Sequence, residues 1–135
     1  MTNKEIVKKW FNHIDSNNFD EVKNLMDSKH SFKNPMTPTP VGADQHIGMI
    51  QMMTDAFQGD HHLDLILESG EHVTASGKWK GKHTGEFNGI SATNNTVEFS
   101  FIDIFHIVNG KIMDEHLEMN PMSIMQQIGA VPANA

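Results

Sequence analysis

The stretch Thr96–Met119, TVEFSFIDIFHIVNGKIMDEHLEM, decides the fold. Asn109-Gly110 near its middle is the pair favoured in a two-residue type I′ turn, where both residues need positive φ. Aromatic and β-branched residues flank it, so Thr96–Val108 and Lys111–Met119 are predicted as the two strands of a hairpin. That turn pairs Val108 with Lys111, and the remaining pairs follow: Phe105 with Asp114, Asp103 with His116, Phe101 with Glu118. Opposed side chains share a face with Cβ atoms about 5 Å apart. Asp103 and His116 are therefore expected as neighbours in a row that also holds Phe99, Phe101 and Phe105. The reverse face, with Ile102, Ile104, Val108, Met113, Leu117 and Met119, is at least as apolar. Spacing alone leaves open which face looks inward, and a bulge in either strand would undo the register.

Upstream of the hairpin, the period-two pattern continues. Leu63, Leu65 and Leu67 alternate with His62, Asp64 and Glu68 from His61 onward, which predicts a strand with one apolar face. After a turn at Ser69-Gly70, Val73, Ala75, Gly77, Trp79, Gly81 and His83 share one face of the next strand. Lys78, Lys80 and Lys82 share the other, which marks it as the solvent side and turns Trp79 and His83 inward. Residues 85–95 read as a loop.

The N-terminal part follows a helical period. Thr2-x-x-Glu5 is a capping box, and Ile6, Val7, Trp10, Phe11 and Ile14 form one apolar stripe behind it. Asp15-Ser16-Asn17-Asn18 ends this helix and caps a second with Phe19, Val22, Leu25 and Met26 on its buried side. An extended piece, His30 to Asn34, stops at Pro35, and Pro38 and Pro40 keep the following segment in loop conformation. Gly42 to Gln58 is predicted as a third helix through Ile47, Ile50, Met53, Ala56 and Phe57. Pro121 opens a short C-terminal helix with Met122, Ile124, Met125 and Ile128, ended by Gly129. Helices followed by antiparallel strands predict an α+β fold in one domain over residues 1–135.

Composition narrows the functional classes. Hydrophobic residues at 38% and charged residues at 20% are ordinary for a globular chain. The formal charge of −7 argues against nucleic acid or an anionic membrane as the main partner. No Cys is present, which removes disulfides, thiolate nucleophiles and thiolate metal sites. The N-terminus lacks a signal-peptide pattern, and no run approaches the ~20 apolar residues of a membrane span, so a cytoplasmic location is the expectation. Nine His raise the question of metal. His61-His62 would point to opposite faces of a strand and no firm ligand spacing occurs, so no metal is expected. No G-x-S-x-G elbow is present, and Gly81, Gly85 and Gly89 lack the strand-turn-helix setting of a dinucleotide site. Ten Met and no Tyr suit an adaptable apolar interior or a cavity.

The run Gly81-Lys82-His83-Thr84-Gly85-Glu86-Phe87-Asn88-Gly89-Ile90, with VEFSFIDIF at 97–105 and Asn109-Gly110-Lys111-Ile112, resembles the SnoaL-like polyketide cyclase and ester cyclase family. The early Trp10-Phe11 helix, Phe32-Lys33-Asn34-Pro35, and the tail from Glu115-His116 through Gln126-Gln127-Ile128-Gly129 to Val131-Pro132 are similar as well. The resemblance implies a cone-shaped α+β barrel of the nuclear-transport-factor-2-like type, with N-terminal helices packed on a strongly curved, mostly antiparallel sheet. It implies cofactor-independent proton-transfer chemistry, such as aldol cyclisation, isomerisation, or hydration and dehydration, and a tendency to form homodimers. By motif, Asp103 and His116 are the candidate catalytic residues. His83, Asn34, Trp10, Trp79, Phe101 and Glu118 are candidates for substrate contact. The chain departs from many relatives at Leu117, where a Trp is common, and at Glu118 and Asn120, near which an Asp is common. The expected partner is a small apolar or carbonyl-containing molecule. A non-catalytic binding protein for an apolar molecule is the alternative, and a partner-binding role through the open face of the sheet is a third.

Overall fold

The computed structural model describes residues 1–131, so Pro132 of the tail motif lies outside the described residues. Helix α1 (Asn3–Asp15) begins as the capping box requires, with Thr2 Oγ1 accepting from the Glu5 N–H at 3.1 Å. It buries Ile6, Val7, Trp10, Phe11 and Ile14, the stripe read from the sequence. A short α2 (Phe19–Asn24) follows, and β1 (Met26–Lys33) starts earlier than the extended piece expected from Pro35. Met26, expected on a helix, is a buried strand residue.

Helix α3 (Ala43–Ala56) passes directly into β2 (Phe57–Ser69), so this strand starts at Phe57 rather than His61. Then come β3 (His72–His83), β4 (Thr96–Val108), β5 (Lys111–Glu118) and α4 (Pro121–Gln127). The five strands lie in the order β1-β5-β4-β3-β2. All neighbours are antiparallel except β1 and β5, which run parallel. Helices on one face of this mostly antiparallel sheet make the α+β fold expected above. No helix among the described residues is long and apolar enough to cross a membrane.

The turn is of the kind the sequence requires. Asn109 has φ 50° and Gly110 φ 75°, and Val108 pairs with Lys111. Beyond that point the predicted register fails. Ile107 still pairs with Ile112, but His106 pairs with Asp114, leaving Met113 as one extra residue in β5. Every subsequent pair is displaced by one: Phe105 with Glu115, Ile104 with His116, Asp103 with Leu117, Ile102 with Glu118. A one-residue slip turns each side chain to the other face.

A second bulge in β2 has the same effect. Leu63 pairs with Gly77 and Leu65 with Ser76, so Asp64 is the extra residue. Leu63 and Ile66 then face inward, whereas Leu65 and Leu67, expected beside Leu63, are 49% and 57% exposed. Strand β3 keeps its predicted alternation, with Val73, Ala75 and His83 buried and its three Lys outside.

The core has two parts. The larger lies between α1 and the centre of the sheet and includes Trp10, Phe11, Phe101 and Phe105. The smaller gathers Phe57, Phe87 and Val97 with Ile124 of α4 and Ile128, the residue that caps it. An L side chain at the Gly110 conformation is strained, so Gly110→Ala is expected to cost about 1–2 kcal/mol. Urea unfolding should show a lower midpoint with an unchanged slope.

Candidate functional site

Between α1, α3 and the concave face of the sheet lies a cavity of about 760 Å³. Aromatic and Met side chains are prominent in its wall, Trp10, Phe11, Phe99, Phe101, Met49 and Met53 among them. Met36 and Met52 line it while about half exposed, which places them at its open end. Trp79 is held in the wall by two glycines. Gly59 pairs with Gly81, and a Cβ on either would overlap the Trp79 indole lying across them.

Strand β4 sends Phe101, Asp103 and Phe105 inward, and the bulge at Met113 brings Glu115 of β5 to the same face. Asp103 and Glu115 are 2% and 4% exposed, line the cavity, and share a hydrogen bond. Desolvation pushes Asp103 well above the usual carboxylate range, and the Glu115 charge adds to the rise. Desolvation likewise raises Glu115, to about 7, while the bond from Asp103 opposes the rise. The two carboxyls therefore share a proton across that bond rather than ionising together. Asp103 Oδ1 and Glu115 Oε1 have no hydrogen-bond partner among the described residues.

Two buried histidines extend this pair. The Ile112 carbonyl oxygen can only accept, so His30 Nδ1 carries hydrogen and donates to it at 2.9 Å. Burial lowers the His30 pKa, the ring is neutral, and its bare Nε2 accepts from His46 Nδ1–H at 2.9 Å. His46 is packed against Phe32, with ring centroids 3.6 Å apart and planes 5° apart, and against Trp10 at 5.5 Å. Desolvation there drives its pKa down to about 2, with the neighbouring His30 contributing. His46 Nε2 is thus a bare lone pair, and it faces Glu115 Oε1 at 4.0 Å.

His30, His46 and Glu115 also form the one group among the described residues with ligand atoms close enough for a metal ion. Sequence spacing gave no sign of this group. Ligation by His30 Nε2 would replace its bond from His46 and leave the Nδ1–H bond to the Ile112 carbonyl in place.

The cavity has a second polar group. His61 Nδ1–H donates to Asp15 Oδ1 at 2.7 Å, the His61 backbone N–H donates to Asp15 Oδ2 at 3.0 Å, and both residues line the cavity.

The sequence-derived candidates divide. Asp103, Trp10, Trp79 and Phe101 line the cavity. His116 does not meet Asp103: it pairs with Ile104 on the outer face, and its Nε2 lies 2.7 Å from Glu118 Oε2. Glu118 is on that outer face too, its side chain 59% exposed. The extra residue at Met113 causes both corrections. Asn34 is buried, but its amide bonds Thr37 Oγ1 and its carbonyl accepts from the Met36 and Thr37 N–H groups, so it fastens a loop outside the cavity lining. His83 is fully buried beside Phe57, with Nδ1 accepting from the Thr93 N–H at 3.2 Å. It too lies outside the lining, and its Nε2 is unpartnered.

Sequence reading missed Glu115, His46, His30, Asp15 and His61 as site residues. A signal existed for His46, which shares the helical stripe of Ile50, Met53 and Phe57 at spacings of four, three and four. None existed for Asp15 and His61, which meet across 46 positions.

The family model for the SnoaL-like polyketide cyclase matches residues 4–128. The chain belongs to the SnoaL-like polyketide cyclase family. No curated protein sequence matches it. Solved structures of the same fold include AclR of Streptomyces galilaeus, described as a candidate hydroxylase, at 15% identity and TM-score 0.86 over 96% of this chain and 82% of that one. IdmH of Streptomyces antibioticus, a candidate polyketide cyclase, has 17% identity and TM-score 0.84 over 95% and 99%. A protein with a ketosteroid isomerase-like fold from Catenulispora acidiphila has 17% identity and TM-score 0.79 over 99% and 98%.

The buried groups act on stability with opposite signs. His30 and His46 are held below 6.5, so the unfolded chain binds more protons and stability rises with pH up to about 6.5. Asp103 and Glu115 are raised, so the folded chain binds more protons and stability falls as pH rises from the carboxylate range through about 7. Taken alone, Glu115 accounts for a loss of about 3 kcal/mol across that range. Above pH 6.5 the effect of His30 and His46 is spent, and the carboxyl effect acts in the same direction as His106, whose pKa is raised by its bonds to Asp114 and Glu71. Unfolding free energy should then decline between pH 6.5 and about 8, and Glu115→Gln should flatten the decline in urea titrations.

Proposed function

We propose that this protein is an enzyme for cofactor-independent proton transfer on a small carbonyl compound, with Asp103 and Glu115 as its acid–base pair. The observation that carries the reading is the pair itself: two buried carboxyls that share a proton, each with an unpartnered oxygen, in a mainly apolar cavity. A carboxyl kept neutral by burial can donate a hydrogen bond to a carbonyl oxygen, and a carboxylate with its pKa near 7 is a competent base at neutral pH. In this reading Asp103 polarises the substrate carbonyl while Glu115 removes the α-proton. The resulting enol then forms a new C–C bond, as in aldol cyclisation, or is reprotonated elsewhere, as in isomerisation. His46 Nε2 faces Glu115 and is positioned to exchange a proton with it. Membership of the SnoaL-like family and the fold shared with IdmH support this class of chemistry. Trp10, Trp79 and Phe101 would contact the apolar body of the substrate.

A homodimer through the outer face of the sheet belongs to the same proposal. Leu65, Leu67, Ile102 and Ile104 are 40–57% exposed there, and the pairing register places them in adjoining rows. Sedimentation of the purified chain reads this directly.

The acid–base reading is checked by exchange of α-hydrogens of 2-tetralone for solvent deuterium, followed by NMR. The parent chain should accelerate exchange, and Asp103→Asn should reduce that acceleration by about 100-fold with the melting curve retained. Binding of the ketone without any acceleration would favour the sequestering alternative instead.

A further inference from the structure

Asp15 and His61 are not part of the carboxyl pair, and their geometry is that of a working dyad. Asp15 ends α1 and turns both carboxyl oxygens to His61, one to the backbone N–H and one to Nδ1. A carboxylate can only accept, so Nδ1 carries the hydrogen, and Nε2 is the nitrogen at which the ring can take up a second proton. That nitrogen has no hydrogen-bond partner among the described residues, and the ring lines the cavity between Phe11, at 4.9 Å between centroids, and Phe101, at 5.6 Å. The orienting carboxylate, fixed tautomer and free Nε2 are the requirements for a histidine general base.

Its position limits what it can act on. His61 pairs with Trp79, and Trp79 with Phe99, so His61 sits two strands away from β4 and four residues along it from Asp103. That separation is roughly 10 Å across and 13 Å along the sheet at the backbone, before side chains converge. Phe101 lies between the two stations on the same face. With an aromatic ring between them, the two stations are placed to meet different ends of a planar conjugated substrate lying across Phe101.

We propose that His61, positioned by Asp15, is a second general base of this cavity and that the substrate is a conjugated carbonyl compound deprotonated at a remote carbon. This rests on the reading of Asp103 and Glu115 as the group that meets the carbonyl oxygen. His61 Nε2 takes the proton from a C–H conjugated with the carbonyl. The electron pair of that bond moves through the π system to the oxygen, which receives the proton held by Asp103, giving an extended enol. Return of a proton to a different carbon, and of the enol proton to the carboxyl pair, completes an isomerisation with no oxidant or reductant. Asp15 is a positioning residue, since it acts on the substrate only through His61.

Two measurements test this separately. Phenacyl bromide, an apolar alkylating probe, should form a bond from His61 Nε2 to carbon with loss of bromide, and peptide mass analysis locates the product. His62, exposed on the opposite face, is the internal reference. The His61-to-His62 labelling ratio should be at least tenfold higher with phenacyl bromide than with iodoacetamide, and Asp15→Asn should lower it. The 15N spectrum of neutral His61 should show a protonated Nδ1 that becomes a tautomer mixture in Asp15→Asn, a change that mere loss of packing would not produce. Equal ratios for the two reagents would overturn the dyad whatever the carboxyl pair does.

The second measurement follows deuterium uptake into an aryl-substituted cyclohexenone. His61→Gln should slow γ-exchange at least tenfold and leave α′-exchange in place, whereas Asp103→Asn should slow both. Unchanged γ-exchange in His61→Gln would overturn the remote-deprotonation step. Exchange at neither position in the parent chain would overturn the acid–base reading and this step with it, leaving the labelling result to judge the dyad alone.

Discussion

Strand β5 carries one residue more than β4 needs, and the chemistry of the cavity depends on where that residue sits. The turn at Asn109-Gly110 holds the first two pairs in regular register, and Met113 then bulges. From there the residues with odd numbers in β5, Glu115 and Leu117, accompany Asp103 and Phe105 on the concave face. Had the ladder stayed regular, Asp114 and His116 would have faced the core. Asp103 would then have met a cation-forming partner rather than a second carboxyl. The bulge therefore converts a potential ion pair into a proton-sharing pair, and it moves His116 to the outer face beside Glu118.

Burying two carboxyls side by side is unfavourable unless one stays protonated, and the surroundings are arranged to that end. Phe101, Phe105 and Trp10 exclude water from Asp103, while no Lys lines the cavity to hold either group ionised. The two histidines that approach are themselves kept neutral. His46 is pressed between Phe32 and Trp10, and His30 is committed to the Ile112 carbonyl on one side and to His46 on the other. A protonated His46 would lower the pKa of Glu115, so the packing of one aromatic ring on an imidazole supports the proton affinity of a carboxyl on a different strand.

Much of this fold was legible because it rests on local signals. Thr2-x-x-Glu5, the stripe ending at Ile14, the Lys78-Lys80-Lys82 row and the Asn109-Gly110 turn each specify local geometry without help from the rest of the chain. The two bulges were not legible. Asp64 and Met113 carry no turn residue and no positive φ, and Leu63, Leu65 and Leu67 imitate an unbroken strand. A bulge is chosen by which set of side chains packs better when the sheet bends, and that comparison involves residues far apart in sequence. The same reason hid the polar contacts. Asp103 was identified because it lies on the regular strand, whereas Glu115 and His61 reach the cavity only after a bulge or a long-range meeting of helix end and strand.

A cavity that merely held an apolar molecule would gain nothing from these polar groups. Replacing Asp103 and Glu115 by apolar side chains of similar size would remove a desolvation penalty and widen the contact with the ligand. The cost has a chemical counterpart, because the desolvation that destabilises both ionised carboxyls also raises their proton affinity, that of Glu115 to about 7. Asp15 and His61 differ in kind. Their bonds to each other are satisfied, only one nitrogen is left free, and that nitrogen is where an Asp–His pair is basic. One wall is thus suited to holding a proton and the other to accepting one, with the Phe11 and Phe101 rings between them. A substrate that couples the two must carry charge across an aromatic-sized gap, and a conjugated π system does so without either wall having to move.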